Sequence, residues 1–154
     1  MCSVVVHQAC YGILRHDSGP WHCDACVVRQ SGTIESLRCS YCPRADGAIK
    51  RTDNEERKWC HVLCAVMIPE LGFGDVQLLM PVTGAAAVPK ARWRLPCNFC
   101  KQRSYAPIQC AEKRCCTSYH VSCARENGCK LNLVMQPDAG PAAAQASSFC
   151  LKHG

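Results

Sequence analysis

Apolar positions along this chain come in short bursts, separated by polar stretches that contain Gly and Pro. The clearest burst, His61-Val62-Leu63-Cys64-Ala65-Val66-Met67-Ile68, predicts a short helix that Pro69 stops, because proline cannot donate the next backbone hydrogen bond. That helix sets His61 and Cys64 three residues apart on one face. A second short helix is expected through His120 and Ala124 to Asn127, capped at its start by Thr117 or Ser118 and ended by Gly128. From Gly140 to Ser148 the sequence is low in complexity, rich in Ala and Ser, and is expected to be a flexible insertion. No apolar run nears the roughly 18 to 20 residues of a membrane-spanning helix, so no membrane association is expected.

Composition changes the picture. Of 154 residues 16 are Cys, only 6% are aromatic and 19% are charged, so the chain cannot rely on one large apolar core and needs cross-links or metals. Spacing decides between these. Two-residue gaps recur seven times: His7-x-x-Cys10, Cys23-x-x-Cys26, Cys39-x-x-Cys42, His61-x-x-Cys64, Cys97-x-x-Cys100, His120-x-x-Cys123 and Cys150-x-x-His153. A tetrahedral zinc takes ligands in close pairs of this kind, whereas a disulfide scaffold has no use for the histidines. The start of the chain has no secretory signal pattern, and no Asn-x-Ser/Thr site is present, which also argues against disulfides.

Cys39, Cys42, His61 and Cys64 form a self-contained set of four ligands, a zinc knuckle. The last third holds eight more candidates, enough for two zincs. Two sequential sites or an interleaved pair both fit the order. Interleaving ties distant ends of a core-poor segment together and is preferred: Cys97, Cys100, His120 and Cys123 against Cys110, Cys115, Cys150 and His153. Cys60, Cys116 and Cys129 stay outside this scheme, and Cys115 is chosen over Cys116 because its step to His120 equals that from Cys2 to His7. His16 and His22 read as surface residues.

At this point the residues resemble a known family. Cys2-x4-His7-x-x-Cys10 followed by Trp21-x-Cys23-x-x-Cys26 is similar to the second half of a PHD finger, including a Trp two residues before the seventh ligand. The stretches from Asp46 to Asp53, Trp59-x-His61-Val62-x-Cys64-Ala65, and Ala91-Arg92-Trp93-Arg94-Leu95-x-Cys97-x-x-Cys100-Lys101-Gln102-Arg103 resemble the zinc knuckle and extended PHD finger that follow such fingers in chromatin proteins. The wording is closest to the bromodomain and PHD finger scaffolds, the Jade proteins and the leukaemia-fusion PHD proteins. The resemblance covers nearly the whole chain. It implies a small zinc-stabilised α+β fold of cross-braced PHD-type fingers, with short strands, short helices and little conventional core. The domains it implies are 1–30, the C-terminal part of an incomplete PHD finger, and 36–154, an extended PHD finger made of knuckle 36–69, linker 70–94 and finger 95–154.

One departure is plain. A PHD finger has eight ligands, and the first three would precede Cys2, where the chain has only Met1. The family's cross-brace implies that His7 and Cys10 share a zinc with two absent Cys, while Cys2, Cys23 and Cys26 lack one partner. A structural zinc is worth on the order of 10 kcal/mol in small metal domains. Residues 1 to 30 are therefore expected to be poorly anchored, with a fragment, a misplaced start codon or a short isoform as the explanation.

Charge then separates the halves. Residues 1–84 carry 8 basic and 9 acidic groups, while residues 85–154 carry 10 basic and 3 acidic groups. The extended finger stays basic even after each three-thiolate site takes its zinc. Lys90, Arg92, Arg94, Lys101, Arg103, Lys113 and Arg114, interleaved with Trp93 and Tyr105, suit contact with a DNA backbone, weak, non-specific and salt-sensitive. Asp17, Asp24, Glu35, Asp46, Asp53, Glu55 and Glu56 could meet a basic peptide, and the resemblance implies a histone tail added as a strand. The expectation is a nuclear, zinc-dependent chromatin-binding module in a histone-modifying complex, with no small-molecule substrate. RING-like ubiquitin ligase activity and a pure interaction scaffold are the alternatives. No phosphate loop, dinucleotide fingerprint or nucleophile elbow points to an enzyme.

Overall fold

The computed structural model describes residues 2–15, 19–32, 36–134 and 145–154. Its elements are short, as broken apolar bursts require. Helix α1 is Gln8–Tyr11, α2 Asp24–Gln30, α3 Val62–Met67 and α4 Val121–Glu126. Among the described residues eight strands pair as four antiparallel two-stranded sheets. β1 (Ile49–Arg51) pairs with β2 (Trp59–His61), β3 (Gly72–Asp75) with β4 (Met80–Thr83), β5 (Ile108–Gln109) with β6 (Ser118–Tyr119), and β7 (Lys130–Val134) with β8 (Gln145–Phe149). None of the helices is long and apolar enough to cross a membrane among the described residues.

Two-stranded ribbons cannot stand alone in water, and here each leans on its neighbours. A buried set running from Tyr41 and Ile68 through Val82 and Ile108 to Tyr119 and Val121 joins residues 39–150, with buried Cys residues threaded through it. The parallel bridge Thr52 to Val82 ties the first ribbon to the second. Arg57 stacks 3.7 Å over the Trp93 ring, which itself packs against Tyr41.

Three expectations are corrected. Helix α4 begins after His120, not at Thr117 or Ser118: Ser118 lies in β6 and its hydroxyl donates to the Pro96 carbonyl at 2.7 Å. His120 stands between β6 and α4, and His61 ends β2 and directly precedes α3. Residues 145–148 of the expected insertion form most of β8. Their small side chains suit that place, since Ser148 is buried under Tyr119, whose hydroxyl donates to Ser148 Oγ at 3.1 Å. Residues 140–144 of that insertion, like His16, Asp17 and Glu35, lie outside the described residues.

The third correction concerns residues 1–30, whose described part is seated on β1. Tyr11 is 2% exposed and donates its hydroxyl hydrogen to the Ile49 carbonyl. Lys50, 4% exposed, stands 3.9 Å over the Tyr11 ring and 3.3 Å from Asp24 Oδ2. An apolar cluster of Tyr11, Cys23, Cys26, Ile49 and Trp59 completes the contact, so packing supplies anchorage that the ligand count alone did not promise.

Candidate metal centres

The first cluster is set by a Cys-x-x-Cys turn and by the junction of β2 with α3. Ser40 N–H donates to the Trp59 carbonyl at 2.8 Å, holding the turn against β2, so that Cys39 and Cys42 face His61 and Cys64. All four ligand atoms lie within 4.8 Å of one another, with Cys42 Sγ 3.2 Å from His61 Nδ1. His61 Nε2 lies 2.8 Å from the Asp46 carbonyl oxygen, so Nε2–H donates there and Nδ1 faces the sulfurs. Burial raises the Cys39 thiol, but hydrogen bonds from Cys42, Cys60, Cys64 and His61 outweigh it and hold Cys39 well below the ordinary thiol value. Burial presses the His61 pKa down, yet the hydrogen bonds and negative charge of Cys39 and Cys42 push it up to about 10.

The second cluster repeats this geometry with Cys97, Cys100, His120 and Cys123, again within 4.8 Å. Cys100 Sγ is 3.3 Å from His120 Nδ1, and His120 Nε2 is 2.8 Å from the Ser104 carbonyl oxygen. Burial holds this imidazole below its ordinary value and keeps it neutral, as a ligand must be. The third cluster gathers Cys110, Cys115, Cys150 and His153 from the loop between β5 and β6 and the turn after β8. His153 Nδ1 is 3.3 Å from Cys150 Sγ and 3.5 Å from Cys110 Sγ. Hydrogen bonds from the Thr117 side chain and backbone lower Cys115 to about 6. In space the two sets are interleaved along the chain, not sequential.

A fourth group holds only three sulfurs. Cys2 Sγ is 3.5 Å from Cys23 Sγ and 3.2 Å from Cys26 Sγ. His7 and Cys10 face each other at 4.0 Å on the exposed side, away from that group. Cys60 is fully buried with its thiol 3.3 Å from the His61 carbonyl, Cys129 is buried, and Cys116 is exposed. Three sulfurs and one imidazole in each complete cluster match the soft, tetrahedral donor set of structural zinc, which would lock loop and helix together.

The seven cations divide. Lys90, Arg94, Lys101, Arg103, Lys113 and Arg114 are exposed. Arg92 is not available to a ligand: its guanidinium is 2.6 Å from Glu70 and donates to the Pro107 carbonyl. Trp93 is covered by Arg57, and Tyr105 packs edge-on to His120. Of the acidic residues, Asp24 pairs with Lys50, Asp46 with Arg44, and Glu55 with Lys58 at 3.7 Å. Sequence reading gave Tyr11, Lys50 and Glu70 no role of their own, since a lone Tyr, Lys or Glu carries no spacing signal.

Residues 37–153 match the model of the PHD-zinc-finger like domain. The chain belongs to this family. Jade-1 of Xenopus laevis is 37% identical over 153 residues, covering 99% of this chain and 17% of its own length. Jade-1 of Danio rerio is 39% identical over the same coverage, and the PHD finger protein rhinoceros of Drosophila melanogaster is 36% identical over 152 residues, 4% of its length. The chain thus spans a small part of these curated relatives. A crystal structure described as zebrafish PHF14-PZP superimposes with a TM-score of 0.72 at 31% identity, covering 97% of this chain and 74% of that one. The PHD-like fold and its zinc cofactor follow from this membership and from the three Cys3His clusters.

Proposed function

We propose that this PHD-type module binds chromatin in the nucleus, receiving a histone tail and holding nearby DNA through its backbone phosphates, as part of a histone-modifying complex. The ligands in this reading are the three four-residue clusters, with Cys2, His7, Cys10, Cys23 and Cys26 serving the C-terminal part of a first finger. The domains are 1–30 and 36–154. The single observation that carries the DNA part is the group of six exposed cations on and beside the finger at 95–154, with Arg92 withdrawn inside. Contacts of this kind go to the phosphate backbone, which carries no sequence information, so binding is salt-dependent and independent of base sequence. Acidic groups near the knuckle, Asp53 and Glu56 among them, offer carboxylates to a basic peptide.

Two fluorescence titrations test the reading. Unrelated DNA duplexes should bind with equal affinity that falls steeply with salt, and a basic histone tail peptide should bind at a separate site. Duplex binding that ignores salt, or no binding to either probe, would overturn it.

A further inference from the structure

Each of the three His-x-x-Cys pairs before residue 124 is built alike. A His in extended backbone, at φ −79°, −61° and −66°, directly precedes a helix whose third residue is Cys: His7 with α1, His61 with α3, His120 with α4. The likeness between residues 39–87 and 97–153 goes further, bond by bond. Where Ser40 donates to Trp59, Asn98 donates to Ser118, both at 2.8 Å. His61 N–H meets Cys39 Sγ and His120 N–H meets Cys97 Sγ, both at 3.4 Å. Each Nε2 lies 2.8 Å from a carbonyl four residues past the second Cys of the turn, Asp46 in one case and Ser104 in the other.

The second hairpin corresponds as well. Thr52 N donates to Lys58 at 2.9 Å as Cys110 N does to Thr117 at 3.0 Å. Asp53 N then reaches β4 at Val82, and Ala111 N reaches β8 at Ser148. Two residues on, the turns match: Ala87 N to Gly84 O at 2.9 Å, His153 N to Cys150 O at 2.9 Å, and, in the first segment, Cys26 N to Cys23 O at 2.8 Å. Thr52 therefore stands at the place of Cys110, Glu56 at that of Cys115 and Cys2, and Gly84 and Ala87 at those of Cys150 and His153.

None of these counterparts is a soft donor except in the outer two units. In the middle unit Thr52 Oγ1 donates to the Arg57 carbonyl at 2.7 Å and accepts from Asn54 N at 3.1 Å. Asn54 Oδ1 accepts from Glu56 N at 3.0 Å and Arg57 N at 2.9 Å. Gly84 is closed to any ligand side chain: its φ is +87°, and a Cβ there would stand 2.1 Å from the Glu70 carbonyl oxygen.

We infer that residues 39–87, knuckle and following linker together, are one further finger of the same design, in which a hydrogen-bonded hub on Thr52 and Asn54 replaces the second metal centre. Thr52 is a positioning residue that shapes the loop from which β1 meets β4. The unit ends near Ala87, beyond the expected knuckle boundary at residue 69. The inference rests on reading Cys110, Cys115, Cys150 and His153 as ligands, and the test separates the two.

Hydrogen exchange and native mass spectrometry on the full chain decide it, with Thr52→Ala, Thr52→Ser and Cys110→Ala. Thr52→Ala should speed exchange roughly tenfold both at 49–57 and at 72–87, as the loss of a buried hydrogen-bond hub implies, with the zinc count unchanged. Thr52→Ser, which keeps the hydroxyl, should restore protection. Effects confined to residues 52–57, or no change at 72–87, would overturn the inference; so would zinc loss or a collapse of residues 97–153. Cys110→Ala should lose one zinc. If it does not, the ligand reading fails on its own.

Discussion

The guanidinium of Arg92 sits 2.6 Å from the Glu70 carboxylate, joining the start of the linker to the segment that leads into the last finger. The two side chains are 15% and 19% exposed, so each charge depends on the other. Removing one partner of such a pair leaves a charge without compensation. Arg92→Ala should therefore cost about 3 kcal/mol in denaturant unfolding. A loss below roughly 1 kcal/mol, the level of a surface pair, would contradict the buried pairing.

DNA binding should instead follow the exposed cations. Arg94→Ala combined with Arg103→Ala is expected to weaken binding to unrelated duplexes alike while leaving the unfolding curve in place. Six cations set an upper bound of about 5 on the slope of log affinity against log salt. Discrimination between duplexes in a gel-shift titration, or unchanged affinity in the double variant, would remove this surface from the account.

Metal content tests the sulfur assignments one by one. The three four-ligand clusters predict three zincs by native mass spectrometry. Cys115→Ser should remove one, whereas Cys116→Ser, on an exposed thiol, should remove none. Cys42→Ser or His61→Ala should unfold the knuckle, since structural zinc is worth on the order of 10 kcal/mol. Cys129→Ser should be mild. Equal damage from both kinds of variant would reverse the choice of ligands.

Within the seat of the first segment one hydroxyl serves two backbone groups, accepting from Asp24 N at 3.1 Å and donating to the Ile49 carbonyl. Tyr11→Phe leaves the Ile49 carbonyl without its donor and should cost about 1 to 2 kcal/mol. Faster amide exchange in α1 and α2, with α4 unaffected, is the expected pattern. Uniform exchange across the chain would contradict a local effect of this hydroxyl.

Chelation should loosen the whole chain, because the buried set shares its volume with the sulfurs. Circular dichroism with a strong zinc chelator should show loss of ordered structure that zinc restores. An unaltered spectrum would place the stability in the packing alone.

Cys and His at fixed two-residue spacings announced zinc, because metal ligation is a local geometric demand that leaves its period in the chain; the apolar burst before Pro69 announced the knuckle helix, and the resemblance of whole motifs implied the finger class. The same logic named Cys110 and Cys150 as candidates, but their convergence from two ribbons is a matter of tertiary structure. Arg92 and Arg94 look alike in sequence; only the fold turns one toward Glu70 and leaves the other in water. Gln145 to Ser148 read as an insertion because small residues carry no apolar period, and their strand exists only because β7 lies beside them. Thr52 shows the limit most clearly: a hydroxyl has no spacing signature, and its equivalence to Cys110 emerges once backbone hydrogen bonds, which any residue except proline can donate, place the two at the same point of the fold.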